Sequence, residues 1–287
     1  MNNTGLIGVR DLDHIIAIVL ASAYVENEKP LSCLIVSDRP ESGKTSLILR
    51  YGGTKGTKKV GKATSYGIIQ EHGLELQKGK IKHFLIPEFL GPLSYNSSVV
   101  KSFVTFLQEM TEDGLTSIYS GAMKQALVFK EPMVVGVIGA MPRKAYRENI
   151  LSWMASGFLS RILVVTYRYS DTTVTKIKDS IVGREYLDGK PANLKIPKVK
   201  SHIDLPVEVA QACREVADGI TAQAQRDGNL YGLRELKHIM SLVMANVALE
   251  NMDTGEHRDT ATMSDFDEIA RLSYLFNNQF NELKEGD

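Results

Sequence analysis

Cysteine is nearly missing from this sequence: of 287 residues only Cys33 and Cys213 carry thiols. They lie far apart in apolar surroundings, which predicts buried, reduced side chains and argues against a disulfide framework or a cysteine-based zinc site. Net charge is missing too, because 34 basic residues cancel 34 acidic ones. Nucleic acid therefore has no globally positive surface to meet, and any such contact has to come from local basic patches. No apolar run is long enough to span a bilayer. The longest near the start, residues 14–25, follows Arg10, Asp11 and Asp13 and reads as a buried helix. The six histidines show no ligand spacing, and the single tryptophan, Trp153, sits in a helical pattern and reads as packing. With no signal peptide, lipidation motif, low-complexity tract or repeat apparent, the expectation is a cytoplasmic chain with no membrane partner.

What is present supports a sizeable core, since 43% of the residues are hydrophobic. Residues 11–25 read as a helix, and Leu31 to Ser37 form the continuous apolar run typical of a buried parallel strand. Further strands are expected at 81–87, 133–139 and 161–167. Helices are expected at 46–51, 99–110 and 146–154, and a hairpin over 115–129. Residues 52–62 have the glycine and lysine content of a basic loop, and 65–79 are ambiguous. Strands alternating with helices imply an α/β fold, a wound parallel sheet flanked by helices. Beyond residue 185 the texture changes to a proline- and lysine-bearing stretch. Apolar residues at helical spacing then return over 206–225, 230–250 and 263–283. The expected organisation is an α/β domain over 1–185, a linker over 186–204 and a small all-α domain over 205–287.

The first strand runs directly into Asp38-Arg39-Pro40-Glu41-Ser42-Gly43-Lys44-Thr45, with Ser46 continuing as a helix. Such a loop offers nucleotide phosphates backbone N–H donors, a lysine cation and the positive end of a helix dipole. Residues 38 to 46 are thus the candidate nucleotide-binding set, with ATP and Mg2+ as cofactors and Thr45 as the hydroxyl that ligates the metal. The usual phosphate-loop pattern opens with glycine where this sequence has Asp38, and Glu41 adds a second carboxylate facing the anion. A phosphate loop also needs an acid on a neighbouring strand to polarise the lytic water. Glu88, at the end of the run from His83, is the candidate. The position before it is Pro87, which offers no carboxylate to the metal.

With those two elements placed, the order of later segments resembles an AAA+ ATPase module, and most of all that of the minichromosome maintenance helicases. The resemblance covers residues 10–180 and 229–276. It implies an AAA+ fold with a C-terminal helical lid. It also implies a helix and a channel-lining hairpin after Pro87-Glu88-Phe89, and a polar sensor where Val135 to Pro142 presents Met141. Gly157-Phe158-Leu159-Ser160-Arg161 is similar to the family's leucine-serine-arginine motif, which implies that Arg161 reaches a neighbouring subunit's nucleotide. Tyr231 to Leu236 is similar to the second sensor, which implies that Arg234 clamps the γ-phosphate.

The hairpin carries Lys124 near its tip, with Tyr119 and Met123 beside it, suited to tracking a phosphate backbone. Lys55, Lys58, Lys59 and Lys62 form a second basic feature, which could neutralise phosphates but which a solvated loop explains better. The expected function is a ring-forming ATPase acting on DNA, the core of a replication helicase, a translocase or a loader. The expected homo-oligomer is a ring, with a hexamer as the candidate size, and works beside a separate DNA-binding or replication protein. The alternative is a nucleotide-binding assembly or regulatory protein in which Pro87 and Met141 disable hydrolysis. A protein-remodelling role lacks the aromatic pore loop expected of it.

Overall fold

The computed structural model describes residues 6–61, 64–118, 127–184, 190–224 and 231–284. Five strands form one parallel sheet: β1 (Cys33–Ser37), β2 (Thr57–Lys59), β3 (His83–Ile86), β6 (Gly136–Pro142) and β7 (Leu163–Tyr167), in the order β2-β3-β6-β1-β7. Strand β1, between β6 and β7, is buried along its whole length, which is why it reads as an unbroken apolar run. The remaining two strands, β4 (Leu115–Ile118) and β5 (Leu127–Met133), pair antiparallel as the arms of the expected hairpin.

The strand expected at 133–139 begins instead at Gly136, because Met133 still belongs to the hairpin. Gly136 also marks a close approach: a Cβ there would lie 2.4 Å from both the Leu31 carbonyl oxygen and the His83 ring. The segment 52–62 contains β2, which pairs with β3 through its backbone. Residues 65–79 are mostly helix, α3 (Ser65–Gln77), started by the Thr64 hydroxyl accepting from the Gly67 N–H.

Helices cover both faces of the sheet. On one side α1 (Arg10–Ala21) and α2 (Lys44–Leu49) pack with Ile35 and Val165, in a core that continues into α8 (Val207–Ala224), α9 (Leu233–Thr254) and α10 (Met263–Leu272). On the other, α3, α5 (Ser97–Gln108) and α6 (Arg143–Ala155) pack over Leu34 and Val36. There Phe89, Phe103, Trp153 and Phe158 stack with ring centroids 5.2 to 6.3 Å apart, a geometry that adds to simple area burial. Two further helices, α4 (Leu90–Leu93) and α7 (Asp171–Val182), follow β3 and β7. Cys33 and Cys213 are both buried and free.

The helix expected over 263–283 stops at Leu272. Asn278 and Phe280 both take left-handed backbone angles, φ 60° and 54°, which an α-helix cannot accommodate. The segment after α10 runs beside Arg168, exchanging hydrogen bonds with it at Asn281 and Leu283. Among the described residues no helix is long and apolar enough to cross a membrane.

Candidate functional site

Ligands of open α/β sheets bind beyond the carboxyl ends of the strands, and the loop after β1 lies there. Asp38 donates its N–H to the Tyr167 carbonyl (3.0 Å), tying the start of the loop to the end of β7. Glu41 and Gly43 then adopt positive φ of 58° and 72°, and Gly43 supplies the turn into α2 at no steric cost. The Ser42 carbonyl accepts hydrogen bonds from the hydroxyls of Tyr167 (2.8 Å) and Tyr169 (2.9 Å). Because the peptide is planar and trans, the Gly43 N–H points the opposite way.

Lys44 folds back into the loop and donates to the hydroxyls of Ser37 and Ser42, the latter at 2.9 Å. No carboxylate pairs with it among the described residues. Burial lowers its pKa to about 8, so its cation is held poorly solvated, a state that a bound anion relieves. The loop, Thr45 and Ser46 line a cleft of about 940 Å³ whose far wall is Tyr169 and the apolar side of α7, Val174, Ile177 and Ile181. That volume suits a nucleotide-sized ligand.

Lys44 gives the site a pH signature. An anion on Lys44 raises its pKa, so affinity is constant below pH 8 and falls above it, by about tenfold per unit while the bound lysine keeps its proton. Titration with a fluorescent nucleotide between about pH 7 and about pH 9.5 checks this, and a flat profile removes Lys44 from the anion site.

The two carboxylates expected to face the anion differ in surroundings. Glu41 is exposed, whereas Asp38 forms an ion pair with Arg143, the first residue of α6. Arg39 is exposed, its Nε 4.0 Å from Asp38. Sequence reasoning passed over Arg143, although Arg143-Lys144 directly after a buried strand, with Arg147 one turn on, is a visible concentration of charge.

Glu88 is exposed at the carboxyl end of β3, two strands from β1, a separation of about 10 Å. Met141 is buried in the apolar core and presents nothing to the cleft. For Mg2+, the chain offers the Thr45 hydroxyl at the loop. Among the described residues no cluster of three or more His, Cys, Asp or Glu side chains forms a cation cage. That donor set fits a metal held mostly by nucleotide phosphates and water, as Mg2+ prefers.

Arg161 and Arg234 come together, away from the loop. Arg161 precedes β7, while Tyr167 at its other end touches the loop, a span of roughly 20 Å of extended chain. Both arginines approach one carboxylate oxygen of Glu112, Arg161 Nε at 3.0 Å and Arg234 Nη2 at 3.3 Å. Arg234 also donates to the Ser160 hydroxyl (2.5 Å), and Arg161 to the Gly157 carbonyl (2.7 Å). Glu112 lies in the π-helical turn Glu109–Asp113 that leads into β4, and sequence reasoning missed it.

Of the basic residues proposed for DNA, Lys58 pairs with Glu75 (3.0 Å) and Lys59 is exposed on the edge strand β2. Lys62, Tyr119, Met123 and Lys124 lie outside the described residues. No protein-family model matches the chain, and no curated protein matches it significantly.

Proposed function

We propose that this chain is an AAA+ ATPase that binds Mg2+-ATP on residues 38 to 46 and acts on DNA as a head-to-tail homo-oligomer, as a helicase core, translocase or loader. The carrying observation is Lys44, a desolvated cation held by two serine hydroxyls at the edge of a nucleotide-sized cleft beyond the carboxyl end of a buried parallel strand. In this reading Glu88 polarises the attacking water, Thr45 joins the phosphates around Mg2+, and α8, α9 and α10 form the AAA+ lid.

Arg161 and Arg234 support the assembly part of the proposal. They sit together at the strand ends opposite the loop, so they suit the nucleotide of a neighbour better than that of their own chain. The hairpin of β4 and β5 is the candidate DNA contact through Lys124, with Lys58 and Lys59 as auxiliary contacts.

Pro87 and Met141, both buried and without a carboxylate or amide, favour a second reading, in which ATP holds subunits together with little turnover. Steady-state ATP hydrolysis with and without single-stranded DNA separates the two, alongside sizing with and without ATP. DNA-stimulated turnover supports the motor. ATP-dependent assembly at background turnover supports the assembly protein, and neither turnover nor assembly removes both.

A further inference from the structure

Arg143 forms an ion pair with Asp38, the first residue of the loop. Its guanidinium lies over the Phe280 ring, 4.4 Å from the centroid, and its shielded Nε finds no hydrogen-bond partner among the described residues. Stacking fixes the plane of the fork, and the ion pair fixes its direction, toward the loop.

The surroundings of the loop have a polarity. On the α7 side the cleft is walled by Tyr169 and the aliphatic Val174, Ile177 and Ile181, a surface for a flat, apolar group. The charges beside them cancel, Arg168 and Lys178 against Asp171 and Glu282. On the α6 side a second cavity of about 520 Å³ is bounded by Asp38, Arg143, Lys144, Arg147 and Glu148. Asp38 lines both spaces, so they adjoin at this residue. A nucleotide lying along the loop therefore has its base toward α7 and its phosphate tail toward α6. Helix α6 opens after Pro142 without a side-chain cap, so its first-turn N–H groups add to the positive end.

Charge gives Arg143 its task. Asp38 and Glu41 offset Lys44 and Arg39 within the loop, so a terminal phosphate, the most highly charged part of the ligand, needs a cation from outside it. Met141 is buried, Pro142 has no polar side chain, and Arg143 is the next residue along that strand end.

We infer that Arg143 is the ligand of the terminal phosphate and makes this site select nucleoside triphosphates over diphosphates, with Asp38 holding the guanidinium ready until the phosphate displaces it. The inference rests on the loop of residues 38 to 46 being the nucleotide site. A dianionic phosphate presents more charge and more acceptor oxygens to a planar fork than one carboxylate does, so it wins the exchange. Arg39, whose Nε already stands 4.0 Å from Asp38, receives the displaced carboxylate.

The test compares fluorescent ATP and ADP analogues on wild type, Arg143→Met, Arg143→Lys, Asp38→Asn and Lys44→Ala. The methionine keeps an unbranched stem over Phe280, and equal melting temperatures establish that it folds. Arg143→Met is expected to weaken the triphosphate about 10- to 50-fold and the diphosphate by less than about 3-fold. Arg143→Lys falls between, and Asp38→Asn sharpens the preference for triphosphate. If Arg143→Met weakens both nucleotides equally, or neither, while Lys44→Ala abolishes both, the role of Arg143 is overturned and the nucleotide site stands. If Lys44→Ala binds both as wild type does, the nucleotide site itself is wrong and the inference falls with it.

Discussion

Replacing Lys44 with alanine is expected to weaken binding of ATP and ADP by at least about 100-fold while leaving the protein folded. The lysine is the one cation folded into the loop itself, and charge-assisted hydrogen bonds to phosphate are worth about 1.5–3 kcal/mol each. Two such bonds account for the expected loss. The folded state gives up little in exchange. Burial works against the charged amine, and the Ser37 hydroxyl keeps its bond to the Arg39 carbonyl (2.6 Å) without it. Sign follows from the lowered pKa: in the free protein the unfolded chain binds the lysine proton more tightly than the folded one. Wild-type stability therefore gains from Lys44 as pH rises from about 8 towards 10.5, and the alanine variant lacks that gain. Calorimetric titration with both nucleotides, beside thermal melts at two pH values, measures both effects. Wild-type affinity in Lys44→Ala would falsify the nucleotide site.

The largest loss of stability is expected from Phe89→Ala. Phe89 is fully buried and contacts Phe103, Trp153 and Phe158, with centroid distances of 6.2, 6.0 and 6.3 Å. Truncation leaves a ring-sized hole among rigid aromatics that cannot collapse into it, at a cost of about 3–5 kcal/mol. Against a total of about 5–15 kcal/mol that is a large share, and the melting temperature should fall on the order of 10 °C. The damage reaches the site as well. The Phe89 N–H donates to the Ala140 carbonyl (2.9 Å) and so fixes the backbone that carries Glu88 beside β6. Phe89→Leu, which refills most of the volume, should cost about 1–2 kcal/mol and keep Glu88 in place. A melting temperature for Phe89→Ala within about 2 °C of wild type would show that the aromatic cluster is not the anchor described.

Local features were legible in the sequence, and partnerships between distant residues were not. The strand 33–37 and its loop were readable because an apolar run leads directly into Asp38, and the loop closes on Gly-Lys-Thr five residues later. Strand β2 was hidden because Thr57-Lys58-Lys59 has no apolar alternation; an edge strand of three residues owes its existence to the backbone of β3. Helix α3 was obscured by Gly67, Gly73 and the β-branched pair Ile68-Ile69, all poor helix formers rescued by burial against the sheet. The end of α10 was overrun because the apolar spacing continues through Phe276 and Phe280, while the left-handed turns at Asn278 and Phe280 carry no such pattern. At the site, the pairing of Asp38 with Arg143 joins residues 105 apart in sequence. Glu112 likewise meets arginines on two other elements. Periodicity reports only on neighbours along the chain, so neither contact had a signal to read.

The separation of Lys44 from Arg161 and Arg234 sets a rule of stoichiometry. In the proposed head-to-tail assembly, a subunit that carries its loop at one end of the strands and its arginine pair at the other makes a heterologous contact, which leaves two unlike ends wherever the assembly does not close. An open row of n subunits contains n−1 composite sites, and closure adds the last one. Glu112 makes the unfilled end tolerable: one of its carboxylate oxygens lies 3.0 Å from Arg161 and 3.3 Å from Arg234, which offsets part of their charge where no neighbour's phosphate is present. In the proposed assembly each new junction exchanges one glutamate for one nucleotide, so that loading a site and lengthening the row become a single event.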